Sequence, residues 1–285
     1  MSDFWAVAPQ YLLPKLALTR LAGRFASSQS GGLTTAVIRW FVRRYNVNMA
    51  EAAEPDVAAY ATFNDFFTRP LKPGARPLDA ADWVCPVDGA ISQLGPISGD
   101  QVFQAKGHSY STTALVGGDA ALASQFQDGQ FATIYLSPRD YHRIHMPCAG
   151  SLTRMVYVPG ELFSVNPATA RGVPGLFARN ERVVCVFDTA FGPMVLVLVG
   201  ATIVGSMATV WHGMVNPPRL PAVRTWTYED DRISLGQGAE MGRFMLGSTV
   251  VMLWPQSADL RFQSDWLATR AVRMGETMAT SLARH

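Results

Sequence analysis

The stretch of sequence that decides the fold is Met194-Val-Leu-Val-Leu-Val-Gly-Ala-Thr-Ile-Val-Gly-Ser-Met-Ala-Thr-Val-Trp211. No Asp, Glu, Lys or Arg occurs between Asp188 and Arg219, so the run is just long enough to suggest a transmembrane helix. It is rich in valine, however, and Gly200 and Gly205 interrupt it, which is typical of strands that end in turns or bulges. The run therefore predicts two buried core strands rather than a membrane span.

The sequence around this run has the same β character from about residue 60 onward. Pro and Gly recur, long helical periodicity is missing, and Thr68–Pro77 is a turn-rich connector. Ala114–Phe126 is a helical candidate within this part of the chain. The candidate strands are Phe131–Leu136, Leu152–Tyr157, Val183–Phe187, Met194–Val199, Thr202–Val210 and Thr249–Leu253.

The N-terminal segment is predicted to be helical, basic and amphipathic. Residues 1–50 hold six basic side chains and one acidic side chain, whereas the whole chain has a net charge of +2. In Thr34–Val47 the apolar residues share one helical face, and Ser30-Gly-Gly32 separates this helix from Leu12–Phe25. Such a helix can lie in a bilayer interface or cap a protein core, and the sequence leaves both readings open.

The fold class that follows is α+β. We expect a helical membrane-associating region at residues 1–60 and a mostly-β catalytic body at residues 61–285.

Composition excludes several classes of protein. Of the 285 residues 48% are hydrophobic and 16% charged, which indicates a folded chain rather than a disordered one. Cys85, Cys148 and Cys185 share no CxxC spacing, so we expect free thiols in a reducing compartment and no metal site. Pro9 and Lys15 break the first apolar run, which is therefore not a secretory signal. No P-loop, HExxH or EF-hand pattern occurs, and we expect no nucleic-acid partner.

Three patches carry residues that can do chemistry. Pro86-Val-Asp-Gly89 contains an Asp-Gly turn signal, and Ser137–Pro147 contains His142 and His145, two of the five histidines. Leu246-Gly-Ser-Thr249 leads into an apolar run. Taken alone, each patch has an ordinary structural reading: a turn, two satisfied polar side chains, and a turn that starts a strand.

Taken together, the patches belong to a longer series of segments, in order along the chain. These are Tyr11-Leu-Leu-Pro-Lys-Leu16, Thr62-Phe-Asn-Asp-Phe-Phe67, the first patch, Gln104-Ala-Lys-Gly-His108, the second patch, Pro159-Gly-Glu-Leu-Phe-Ser-Val-Asn166, Phe177-Ala-Arg-Asn-Glu-Arg182 and Gly242-Arg-Phe-Met-Leu-Gly-Ser-Thr249. The series resembles the phosphatidylserine decarboxylase family of the bacterial and mitochondrial type, in which Leu-Gly-Ser-Thr is the self-cleavage motif. The resemblance implies a cut between Gly247 and Ser248 that gives fragments 1–247 and 248–285.

The resemblance also implies how the reaction is driven. Decarboxylation of an α-amino acid leaves a carbanion, which needs an electron sink. The chain has only three lysines, and none sits in a recognisable pyridoxal phosphate site. A covalent pyruvoyl group made from Ser248 would supply the sink through a Schiff base with the amine of phosphatidylserine. Loss of CO2 then gives phosphatidylethanolamine, with neither a metal nor pyridoxal phosphate.

Roles for individual residues follow from this chemistry. We expect Ser248 to attack the carbonyl of Gly247, with His145 as the base and Asp88 orienting His145. The resemblance assigns proton transfer during turnover to His142. The loop expected to line the substrate pocket contributes Phe163, Ser164 and Asn166.

Expected partners come from the same resemblance. It implies a peripheral membrane protein on the cytoplasmic face of the bacterial inner membrane, which binds an anionic membrane and phosphatidylserine. The two self-cleaved chains are expected to stay associated, and a homodimer is expected.

Two other functions stay open at this point. A lipid-directed serine hydrolase would use the same residue types and remain one chain, but the GxSxG motif of α/β hydrolases is missing around Ser248. A non-catalytic membrane-binding module would keep the fold, and the joint presence of Asp88, His145, Gly247 and Ser248 argues against it. Replacing Ser248 by alanine separates the alternatives.

Overall fold

The computed structural model describes residues 4–203, 206–217, 219–228, 233–245 and 248–282, with the backbone alone described at 4–6, 12 and 248. The helices are α1 (Phe4–Leu12), α2 (Lys15–Ala26), α3 (Gly32–Tyr45), α4 (Phe63–Phe67), α5 (Thr112–Leu115), α6 (Ala120–Ser124), α7 (Pro167–Gly172) and α8 (Leu176–Arg179). Short 3-10 turns lie at Met49–Glu51, Val57–Ala59 and Gln256–Ala258.

The strands follow α4 and fill most of the remaining chain. They are β1 (Trp83–Val84), β2 (Gly89–Pro96), β3 (Gln101–Ala105), β4 (His108–Ser111), β5 (Gln130–Leu136), β6 (Arg143–His145), β7 (Gly150–Val158), β8 (Arg182–Thr189), β9 (Gly192–Val199), β10 (Met207–Thr209), β11 (Gly213–Asn216), β12 (Arg224–Thr227), β13 (Ser234–Leu235), β14 (Glu240–Phe244), β15 (Ser248–Trp254), β16 (Leu260–Phe262), β17 (Ala271–Val272) and β18 (Thr277–Ser281). The predicted α+β class is confirmed.

A nine-stranded antiparallel sheet forms the centre of the molecule. Its order is β12-β7-β8-β9-β15-β5-β2-β17, and β13 also pairs with β7. Alternate side chains of β9 belong to different hydrophobic clusters: Met194, Leu196 and Leu198 to one, and Val195, Val197 and Val199 to the other. Because both faces of β9 are buried, its sequence is apolar without a break. The buried strand predicted at Met194–Val199 is therefore confirmed.

Smaller sheets pack beside the central one. β11, β10, β14 and β6 form a four-stranded sheet, in that order, and β1, β18 and β16 form a three-stranded sheet. β3 and β4 form a hairpin. The four-stranded sheet matters for the site because β6 carries His145 and β14 leads towards the Leu-Gly-Ser-Thr motif.

The apolar face of α3 packs against protein. Ile38 is fully buried in a cluster with Phe63, Phe66 and Phe67 of α4, and Phe41 makes edge contacts with all three of these rings. Of the two interpretations of this helix, capping of a protein core therefore applies to its inner face. Its outer face, and that of α2, keep large apolar side chains in solvent: Leu16, Leu21, Phe25, Leu33 and Trp40.

Two elements differ from the sequence-based expectation. Ala114–Phe126 is not one helix, because Gly117 and Gly118, both with positive φ, separate α5 from α6. Among the described residues of the strand expected at Thr202–Val210, Met207–Thr209 is the part that forms a strand, and the backbone turns at Thr202 and Ile203. Within the described residues, no helix is both long enough and apolar enough to cross a bilayer.

Candidate active site

The three patches meet at one end of the central sheet. β15 begins at Ser248, which pairs with Leu136 at the last position of β5. The loop after β5 carries His142, and β6 follows with His145. β2 pairs with the other edge of β5 and begins directly after Asp88. The topology thus places the backbones of the four predicted catalytic residues around the same sheet end.

Close backbone approach at this sheet end explains the Asp-Gly pair. A Cβ atom on Gly89 would lie 2.4 Å from the carbonyl oxygen of Tyr135. The first patch also contacts β6, because the backbone N–H of His145 donates to the carbonyl of Pro86 at 2.9 Å. Glycine is therefore needed at position 89 for strand packing, beyond any turn preference.

Asp88 is held by an arginine from the turn-rich connector. Arg76 donates from Nε to Oδ1 of Asp88 at 2.9 Å and from Nη2 to Oδ2 at 2.5 Å. The backbone N–H of Met274 also donates to Oδ1, and Arg76 reaches Glu51 as well. Burial by itself lowers the pKa of Arg76, but its contacts with Asp88 and Glu51 raise it above the ordinary value. Asp88 is therefore half of a buried ion pair.

His145 makes two hydrogen bonds, and neither is to Asp88. Its Nδ1 lies 2.8 Å from the carbonyl oxygen of Gly238, and its Nε2 lies 3.1 Å from the hydroxyl of Tyr141. A carbonyl can only accept, so Nδ1 carries the proton and Nε2 is the basic nitrogen. Burial lowers the pKa of His145, and burial keeps Tyr141 protonated as the donor by raising its pKa to about 12.

The expectation that Asp88 orients His145 stays a prediction. Among the described contacts, the carbonyl of Gly238 fixes the imidazole tautomer, and Arg76 holds the carboxylate of Asp88. Asp88 still acts on His145 through its charge, which favours the protonated imidazole and partly offsets the effect of burial on the pKa of His145.

His142 is fully buried and has one nitrogen without a partner. Its Nδ1 donates to the carbonyl of Asp140 at 2.8 Å, and within the described residues Nε2 has no hydrogen-bond partner. The ring packs on Phe67 with a centroid separation of 4.1 Å. Burial lowers the pKa of His142 to about 3, so the imidazole is neutral near pH 7. The lone pair of Nε2 is therefore available to accept a hydrogen bond from a bound molecule.

The loop expected to line the substrate pocket lies under the N-terminal helices. Phe163 is fully buried, with the ring of Tyr11 at 5.0 Å and Nζ of Lys15 at 3.6 Å from its centroid. The backbone N–H of Ser164 donates to Gln10. The side chain of Asn166 accepts from the backbone N–H of Thr169 and so caps α7. In the uncut chain, these residues seat α1 and the start of α2 on the body.

The predicted cut falls at the edge of the described structure. Gly247 lies outside the described residues, as does the side chain of Ser248. The backbone of Ser248 is the first position of β15, which is paired on both sides with β5 and β9. A peptide bond immediately before this residue would stand where the chain joins the central sheet.

Comparison with known proteins settles the family. A family model described as phosphatidylserine decarboxylase matches residues 63–280. The chain belongs to the phosphatidylserine decarboxylase family. A second model, described as PSD, matches residues 5–46.

Relatives of the same family cover nearly the whole chain. A phosphatidylserine decarboxylase proenzyme of Delftia acidovorans is 73% identical over 98% of each chain. The proenzyme of Dechloromonas aromatica is 71% identical over 99% of each chain, and that of an Azoarcus species is 69% identical over 98% of this chain and 96% of the relative. The predicted membership of the phosphatidylserine decarboxylase family is confirmed.

Sequence reasoning missed three residues that contact the predicted catalytic residues: Arg76, Tyr141 and Gly238. Arg76 lies in a connector rich in Pro and Gly, where nothing local distinguishes an ion-paired arginine from a solvated one. Gly238 acts through its backbone carbonyl, which leaves no mark on residue type. Tyr141 could have been identified from the sequence, because it stands directly before His142 in the second patch.

The residues present fit a pyruvoyl group derived from Ser248. His142 is tied to the segment before the predicted cut, since its carbonyl accepts from the backbone N–H of Phe244 at 3.1 Å. Its neutral imidazole leaves Nε2 bare, so this atom can accept a hydrogen bond from a bound group. Among the described residues, no group of three His, Cys, Asp or Glu side chains is placed to hold a metal ion.

Proposed function

We propose that this chain is a proenzyme that cuts itself between Gly247 and Ser248 and then converts phosphatidylserine to phosphatidylethanolamine and CO2. The observation that supports the proposal is the position of Ser248, the first described residue of the Leu-Gly-Ser-Thr motif. In a member of the phosphatidylserine decarboxylase family, the backbone of Ser248 begins β15 at the end of the central sheet where His142, His145 and Asp88 converge.

Self-cleavage needs a base for the hydroxyl of Ser248. His145 is suited to this role, because the carbonyl of Gly238 holds the proton on Nδ1 and leaves Nε2 basic. The lowered pKa of His145 keeps that nitrogen unprotonated near pH 7. The hydroxyl of Tyr141 occupies Nε2 in the uncut chain and must give way to that of Ser248.

The bond changes balance as follows. The Ser248 hydroxyl oxygen adds to the Gly247 carbonyl, and the peptide C–N bond breaks to leave an ester. Elimination across Cα and Cβ of Ser248 then breaks the ester C–O bond and frees the Gly247 carboxylate. The dehydroalanine left at the new N-terminus takes up water and loses ammonia, which gives the pyruvoyl group. Asp88, a fixed negative charge nearby, stabilises His145 when it is transiently protonated.

During turnover, His142 would manage the proton at the reacting carbon. The pyruvoyl carbonyl supplies the electron sink for the carbon that loses CO2. His142 starts neutral, because burial lowers its pKa to about 3. The net reaction consumes one proton, so the proton that it delivers to the carbon must be one that its Nε2 has first accepted from solvent. The backbone contact to Asp140 keeps the ring in the tautomer that this exchange requires.

We further propose attachment to the surface of an anionic membrane, on the cytoplasmic face in bacteria. The outward apolar side chains of α2 and α3 support this, as do the arginines on the same helices. A basic residue near an anionic surface contributes about 1 kcal/mol. The homodimer and the lasting association of the two cleaved chains are part of the same proposal.

The test is the state of the chain and the product that it makes. The purified protein should give two fragments, 1–247 and 248–285, by intact mass, and should produce phosphatidylethanolamine from phosphatidylserine in mixed micelles. Ser248→Ala should remain one chain without activity, whereas Ser257→Ala, at an exposed serine in a 3-10 turn, should cut normally. Normal cutting of Ser248→Ala would falsify the assignment, and an intact, inactive wild-type chain would refute the function.

A further inference from the structure

A cavity lies between α2 and the body, beside Met245. Its volume is about 550 Å³, which is within the range of small-molecule sites. Met245, the last described residue before the motif, forms part of its wall, as does Asn64 of α4. The same short helix presents Phe67 to His142. The cavity therefore adjoins the region where the chemistry is proposed.

The charged side chains that line this cavity are all basic. Arg20, Arg24 and Arg219 all line it, and no Asp or Glu is among its described lining residues. Arg219 is ion-paired with Glu181 at 3.0 Å. Arg20 and Arg24 make no ion pair within the described part of the chain and are exposed. Two uncompensated guanidinium groups on a concave wall favour an anionic ligand.

The position of α2 over the cavity is fixed by specific contacts. The side chain of Thr19, which is buried, accepts from the backbone N–H of Ile203 at 3.0 Å. At the other end, Asn64 donates to the hydroxyl of Ser27 at 2.9 Å. Arg20 and Arg24 are four residues apart, so they lie on the same helical face between these two anchors. The arginines are thus held above the cavity by a docked helix.

Arg20 also lines a neighbouring cavity of about 630 Å³. Arg219 is common to both walls, and the second cavity runs along α2 past Leu16 to Pro159 and Leu162. Its wall also holds Glu161 and Glu181, whose carboxylates are paired with Lys15, Arg179 and Arg219. Among the described residues, the unpaired positive charge is therefore that of the first cavity, and apolar side chains of the second cavity lie beside it, which suits an amphiphile with an anionic head.

We propose that Arg20 and Arg24 bind the phosphodiester of the phospholipid substrate in this cavity. The inference rests on the proposed function for the identity of the ligand. Of the two anionic groups of phosphatidylserine, the carboxylate becomes neutral CO2, so an arginine on it would stabilise the reactant and slow the reaction. The phosphodiester keeps its charge throughout. Arginines placed on the phosphodiester fix the headgroup without raising the barrier.

Binding can be measured without any turnover. In the uncut Ser248→Ala chain, titration calorimetry with monomeric dioctanoylphosphatidylglycerol tests the phosphodiester alone, because this lipid has neither amine nor carboxylate. Arg20→Gln and Arg24→Gln should each weaken binding about tenfold or more. Arg261→Gln, which makes the same change at an exposed position of β16, away from this cavity and from the N-terminal helices, should alter it less than twofold. Equal effects of all three changes, or no binding to the unmodified Ser248→Ala chain, would overturn the proposal.

Enzyme kinetics with a monomeric substrate provide a second, independent test. With monomeric dioctanoylphosphatidylserine, where no membrane surface contributes, Arg20→Gln should raise KM about tenfold and change kcat less than threefold. Self-cleavage should proceed at the normal rate. A loss confined to kcat, or an arginine effect with phosphatidylserine and none with phosphatidylglycerol, would contradict phosphodiester binding. If the wild-type protein neither cut itself nor decarboxylated phosphatidylserine, the proposed function would be wrong. The phosphatidylglycerol titration would still show whether Arg20 and Arg24 bind a phosphodiester.

Discussion

Replacing Arg76 by methionine is expected to destabilise the fold strongly, because the change leaves a buried carboxylate without its cation. The side chains of Arg76 and Asp88 are only 9% and 10% exposed, and their closest atoms are 2.5 Å apart. After the substitution, Asp88 keeps a single described donor, the backbone N–H of Met274. Removing one partner of a buried pair costs about 3–5 kcal/mol. For a chain of 285 residues, whose entropy of unfolding is about 0.6 kcal/mol/K, that corresponds to a fall in Tm of roughly 5–8 °C.

The measurement is best made in the Ser248→Ala background, where every molecule is one chain. Urea unfolding of the Arg76→Met variant gives the loss in free energy of unfolding. Arg154→Met is the matched control, since it breaks a pair with Asp119 in which the side chains are 29% and 34% exposed. Such a pair contributes about 0–1 kcal/mol. Equal losses for the two variants would show that Asp88 is not held as a buried charge. In the self-cutting background, Arg76→Met should also slow cleavage, because Asp88 then loses its fixed position.

Two further predictions concern neighbouring residues. Gly89→Ala should disturb the pairing of β2 with β5 and slow self-cleavage, because its Cβ would collide with a backbone carbonyl; Gly236→Ala, which meets nothing within 4 Å, should cut normally, and equal cutting rates would refute the reasoning. The pKa of His142 is about 3 in the folded chain, whereas an unfolded chain protonates this histidine near pH 6.5. Between these two pH values the unfolded chain binds one proton more than the folded chain, so the free energy of unfolding should fall as the pH is lowered. At pH 5 the loss due to His142 should reach about 2 kcal/mol relative to pH 7, measured as the difference in urea unfolding between the Ser248→Ala chain and its His142→Gln derivative. An identical pH dependence in both would show that His142 is not buried in the neutral form.

The central sheet could be predicted from sequence because its strands are buried on both faces. The alternation of Met194 to Val199 between two cores leaves a pattern that is apolar at every position, and such a pattern is visible without coordinates. Ala114–Phe126 was misjudged for the opposite reason. Its apolar residues suit a helix, but Gly117 and Gly118 take positive φ values there and end it.

The candidate site likewise has a part that could be predicted from the sequence and a part that could not. Ser248, His145 and Asp88 were predicted from residue type and family resemblance, and the backbone brings them to the same sheet end. Their hydrogen-bond partners could not be predicted. The contact between Arg76 and Asp88 depends on how the connector folds back, and Gly238 contributes a carbonyl that every residue possesses.

The interior position of β15 sets the order of events in the life of this protein. If Ser248–Trp254 were missing, β5 and β9 would each present an open row of backbone donors and acceptors across an apolar slot. A polypeptide ending at residue 247 would therefore resemble an unfinished sheet, ready to recruit strands from other molecules. If the proposed cut takes place, folding must accordingly be complete before it, and we expect the short fragment to stay in the sheet afterwards.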